Sequence, residues 1–131
     1  MSTIRANIIT DAAGTGTPVF TNGMTDAIGN VRDIVNSDKT AAYVLVLSDN
    51  GKMINITTGG VTVNSGIFSA GQNITIYNNS ASSQTITQGA GVTMHLAGSV
   101  TTGNRTFAAR GICTIVCVGT NTFVISGAGL T

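Results

Sequence analysis

The chain has 131 residues, the size of one domain and long enough to bury a core without disulfides or a structural metal. Only 8% of its residues are charged, and the net charge of +1 rests on six scattered basic residues, which excludes a phosphate-tracking surface. Hydrophobic residues make up 42%, which excludes disorder, and seventeen glycines against one proline point to many tight turns.

Residues 1–39 differ from the rest of the chain. They hold Asp11, Asp26, Asp33 and Asp38 of the aspartates and the single proline, Pro18, and show no sustained hydrophobic period. The expectation is an extended N-terminal anchoring arm that orders against a partner, followed by a β-sandwich domain over 40–131. The opening MSTIRANIITDAAG is too polar for a secretory signal, and no apolar run reaches the length of a membrane span. This predicts a chain made and folded in a cytoplasm. Gly14-Thr15-Gly16 lacks the third glycine and the helix of a dinucleotide loop, and reads as part of the arm.

From residue 40 a period of two sets in. In AAYVLVLS, Tyr43, Leu45 and Leu47 alternate with Val44 and Val46, and a strand apolar on both faces is expected to be covered on both, by a second sheet or a second chain. Asn50-Gly51 is a hairpin signal. The segments MINIT, VTV (61–63), NITIYN, TIT (85–87), VTMHL (92–96), RTFAA, ICTIVCV (112–118) and TFVIS (122–126) then read as short strands. Turn residues fill every gap, including ARG and Gly119-Thr120-Asn121. Such spacing predicts an all-β protein, an antiparallel β-sandwich of jelly-roll type.

Cys113 and Cys117 lie on one strand, where four residues span roughly 13 Å. A disulfide needs Cα atoms within about 7 Å, so the expectation is two free, buried thiols. Acid–base groups are few: beyond residue 40 the only carboxylate side chain is Asp49, read as bonding turn amides, and the only imidazole is His95. The chain is therefore read as a non-enzyme, with no catalytic, cofactor-binding or metal residues and no cofactor. Arg105 and Arg110 flank RTFAAR, and the two readings are solvated strand ends or inter-subunit contacts to carbonyls or to an aspartate of the arm. The N-x-S/T triplets at Asn55, Asn73 and Asn104 arise by chance in so Asn- and Thr-rich a chain.

The wording AAYVLVLSDNGK (41–52), ITTGGVTV (56–63), FSAGQNITIYNNSASSQTITQG (68–89), TTGNRTFAARG (101–111) and FVISGAGL (123–130) resembles a β-rich domain at the C-terminal ends of tail-fibre and related virion surface proteins of tailed bacteriophages. AAGTGTPVFTNGM (12–24) is similar to the linker that often precedes it. The resemblance implies a homotrimer in the virion, assembled in the host cytoplasm. Its partners would be other tail or capsid proteins, with host-receptor contact in some members, and neither nucleic acid nor membrane. It implies a tail-fibre or short-spike component, with capsid decoration (a cement protein on the head) as the alternative. The short stretch ahead of the domain, where fibres carry a long shaft, adds weight to a spike or a decoration protein. A receptor- or glycan-binding module is the reading from a different class.

Overall fold

A computed structural model describes residues 33–131. The anchoring arm expected over 1–39 therefore lies outside the described residues except for its end. The chain divides after Asp33, and that end joins the body: Asn36–Lys39 form the first strand, β1. Eight more strands follow: β2 (Tyr43–Val44), β3 (Met53–Ile56), β4 (Val61–Val63), β5 (Asn73–Asn78), β6 (Gln84–Gln88), β7 (Thr93–Leu96), β8 (Arg105–Gly119) and β9 (Thr122–Leu130). The body is all-β, as its composition predicts, and its nine strands form one sheet that is nearly closed around the core.

The pairing differs from the antiparallel expectation. β3 lies parallel on β1 and β5 on β3, while β4 lies parallel on β2 and β6 on β4. The chain thus winds in successive rungs, β1–β2, then β3–β4, then β5–β6, each laid beside the last. Only β8 introduces antiparallel ladders. Its first part pairs with β6, its second with β5, and its outer side with β9. Between those parts the expected ARG turn is instead a corner inside one continuous strand, with Arg110 at φ 59° and the β9 register shifting between Phe107 and Ile112. The Gly119-Thr120-Asn121 turn does close a hairpin, with Asn121 at φ 53°. β9 then runs parallel to β7.

Period-two alternation sends one face of each strand inward. Ile54 and Ile56, Val61 and Val63, Ile74 and Ile76, Ile86, Met94, Phe107, Ile115, Phe123 and Ile125 are buried in a single cluster. The ladders stack them: Ile54 lies beside Ile76, Ile74 beside Ile115, and Ile115 beside Ile125. Cys113 and Cys117 share this parity and are free and buried. Burial pushes the Cys113 thiol up to about 12, against a weaker opposing effect of a hydrogen bond with the Ile76 backbone, so it stays protonated and unreactive.

Two local expectations are corrected. The run 43–47 is not a strand covered on both faces. Only Tyr43–Val44 pair as a strand, the Leu45 amide adds one bond to the Thr62 carbonyl, and Leu47–Asp49 turn into a 3-10 helix. Leu45 is buried, while Val44, Val46 and Leu47 stand exposed. The cause is Asp49, whose Oδ2 accepts from the Val46 amide at 2.9 Å and curls the chain away from its strand path. Asn50-Gly51 does not form a hairpin. With Asn50 at φ −54°, ψ 127° and Gly51 at φ 76°, it is a type II turn, closed by Lys52 N–H to the Asp49 carbonyl, and it delivers the chain into the parallel strand β3.

Candidate interaction surface

The sheet path begins with β1 and ends with β2, so both free edges of that path belong to the first rung. Around them stand Ile34, Val44, Val46 and Leu47, 44–63% exposed. Natural edges are usually blunted by charge, proline or cover. Here β2 carries no charge, and β1 carries only Asp38 and Lys39. The result is an open-edged end to the described body, polar along β1 and apolar around β2.

A polar network holds the shape of this end. The Tyr43 hydroxyl donates to Asp49 Oδ2 at 3.0 Å, and Lys39 Nζ sits 4.0 Å from the centre of the Tyr43 ring. Asp49 is 2% exposed and takes the turn role expected of it. Burial first, then the hydrogen bond and charge of Asp49, push the Tyr43 hydroxyl up to about 12 from its ordinary 10.0. A folded-state value raised in this way gives stability that is whole below the unfolded value and is lost as pH rises through the folded one. We expect wild-type stability to fall between about pH 10 and 12 more steeply than that of Tyr43→Phe, in chemical denaturation at each pH. Equal slopes would show that the hydroxyl is not held by Asp49. On β1, Asp38 Oδ1 accepts from Asn55 Nδ2 and Asn36 Nδ2, both at 2.7 Å, and these bonds hold its carboxyl below the usual carboxylate range.

Two concavities lie elsewhere. One, of about 500 Å³, is lined by Gly66–Ala70 and Gly119–Asn121. Its floor includes Phe68, which meets Phe123 edge to face at 6.2 Å between ring centres. The other, of about 300 Å³, is a cleft at the corner where rungs turn, lined by Thr57, Thr58, Gly59, Ser80, Ser82, Ser83 and Gln84.

The residues singled out from sequence do not converge. His95 sits half-buried on β7, paired across to Thr102. Arg105 is not a solvated strand end. It points inward in register with Phe107, is 7% exposed, and gives Nη2 to the Thr101 carbonyl of its own chain at 2.8 Å. Arg110 is exposed and bonds the Asn79 side chain. Of the triplet asparagines, Asn55 is engaged with Asp38, and Asn104 Oδ1 accepts from the Gln88 amide. Gly14-Thr15-Gly16 lies outside the described residues. Among the described residues no three His, Cys, Asp or Glu side chains gather closely enough to hold a metal ion. Sequence reasoning missed Asn78, fully buried, whose side chain ties the corner of β8 to the turn after β5. The signal was there, since Asn78 continues the inward parity of Ile74 and Ile76.

Compared with known proteins, the chain matches no family model, no curated protein and no solved structure.

Proposed function

We propose that this chain is a virion structural protein of a tailed bacteriophage, a tail-fibre or short-spike component displayed on the particle surface as a homotrimer. The observation that carries the reading is the open-edged first rung, with exposed apolar residues around β2. Ile34, Val44, Val46 and Leu47, beside two strand edges that no described residue pairs, make an end suited to being covered in an assembly. The low charge of the chain supports the same reading, because assembly removes weakly charged surface from water. The all-β body, and the resemblance of its wording to fibre domains, add to it. Burying on the order of 300 Å² of apolar surface per subunit contributes roughly 7 kcal/mol gross at about 25 cal/mol per Å². Association entropy takes back much of that, so the strand edges must pair as well.

Capsid decoration is the second reading within the virion, and imaging purified particles with the protein labelled separates head from tail. The hydroxyl-lined cleft at Thr57, Ser80 and Ser83 favours a receptor- or glycan-binding role as the reading from another class, which a glycan array tests. The direct test of the structural reading is sedimentation of the full chain at micromolar concentration, beside a Val44→Lys, Leu47→Lys variant. The expected result is a trimer for the wild type and a folded monomer for the variant. A wild-type monomer, or a variant that remains trimeric, overturns the role assigned to this end.

A further inference from the structure

The turn that starts β3 contains the most reactive dipeptide of the body toward self-modification. An Asn-Gly pair deamidates when the glycine backbone nitrogen attacks the Asn side-chain carbonyl carbon. A C–N bond forms, ammonia leaves, and the five-membered succinimide is opened by water to aspartate or isoaspartate. Gly51 offers no steric protection, since it is exposed and an added Cβ there would meet nothing within 4 Å. What restrains it is hydrogen bonding to one residue of β5. Gly51 N–H donates to the Asn73 carbonyl at 2.8 Å, and Asn50 Oδ1 accepts from the Asn73 amide at 3.1 Å. The Asn50 side chain therefore stands in for a backbone carbonyl. With Gly51 it grips both main-chain groups of Asn73, just ahead of the β3–β5 ladder that Thr75 N–H to the Lys52 carbonyl continues.

We infer that Asn50-Gly51 is a gated self-modification site: the attacking nitrogen and the side-chain amide are both tied to β5, and succinimide closure proceeds only when the start of the β3–β5 junction opens. The modification then fixes the opening. Isoaspartate lengthens the backbone by one methylene, and Gly51 N–H no longer reaches the Asn73 carbonyl.

The test follows deamidation of the full chain at mildly alkaline pH, folded and in denaturant, by peptide mapping that resolves Asn50-Gly51 from Asn22-Gly23. The folded protein is expected to react roughly ten-fold or more slowly. Asn73→Pro removes the amide that holds Asn50 Oδ1 at the first residue of a strand, where proline is tolerated. Folded by its melting curve, it is expected to react faster than wild type. Equal rates in folded and denatured wild type, or a folded Asn73→Pro at the wild-type rate, overturn the inference. If that variant does not fold, hydrogen exchange of wild-type Gly51 in sub-denaturing urea decides. Exchange and deamidation rising together support the gate, and a freely exchanging Gly51 in protein that does not deamidate overturns it.

Discussion

Asn78→Asp is expected to destabilise the body by about 3 kcal/mol or more at neutral pH, although it exchanges one NH₂ for one oxygen. Asn78 is fully buried. Its Nδ2 faces the carbonyls of Ser82, Phe107 and Ala108 at 2.9, 3.1 and 2.9 Å, while Oδ1 accepts from Ser80 Oγ at 2.7 Å and Gln84 Nε2 at 3.0 Å. One amide thus satisfies the backbone where β8 bends between its two ladders. A carboxylate in that place turns an acceptor toward carbonyls that need a donor, and its charge is buried without a cation. In a body of this size a loss of about 3 kcal/mol lowers the melting temperature by roughly 12–24 °C. Protonation restores one donor, so the new carboxyl should have a folded-state value above its unfolded one. The stability this proton confers is present at low pH and lost as pH rises through the folded value. Asn78→Ala removes the donor without adding charge and should lie between the two at pH 7. Thermal melts at pH 4 and 7 check the order. An Asp variant as stable as wild type at pH 7 would show that this amide does not hold the corner.

Strand positions were legible because burial of one face imposes a period of two, and MINIT, VTV, NITIYN, TIT and TFVIS all carry it. The fates of Cys113, Cys117 and Asp49 followed from the same parity and from turn chemistry. Parallel stacking was not legible. A strand buried on one face shows the same alternation whether its neighbour runs with it or against it, and Ile54 finds Ile76 only after the chain has passed through another strand and two turns. The Asn50-Gly51 signal misled because this dipeptide serves a type II turn as well as a hairpin turn, and the difference lies in Asn50 φ, which no residue type dictates. The exposed face of 43–47 was misread for a related reason. Five alternating apolar residues suggest a long strand, but Asp49 captures the Val46 amide and ends it after Val44. Arg105 shows how parity can outrank charge. It shares the inward face with Phe107, and the nearby Thr101 carbonyl receives its guanidinium.

The winding itself separates two glycines of like conformation. Gly60 and Gly98 share nearly the same backbone conformation, φ 72° and 74°. An alanine at either therefore incurs a similar left-handed strain, of order 1 kcal/mol. Their surroundings differ. At Gly98 an added Cβ meets nothing within 4 Å, whereas at Gly60 it would fall on the Thr85 carbonyl oxygen of the next rung, with the Thr85 backbone nitrogen also close. Gly60 is buried, and its amide donates to Gln84 Oε1 at 2.7 Å, so the turn cannot draw back without breaking that bond. Gly60→Ala is therefore expected to cost about 3 kcal/mol or more and Gly98→Ala about 1 kcal/mol, read by denaturant titration of both variants. Because the strain is common to both, the excess at Gly60 isolates the close approach of one rung to the next. If the two variants lose the same stability, the turn after β3 is not pressed against β6, and the stacked path of the chain at this corner is wrong.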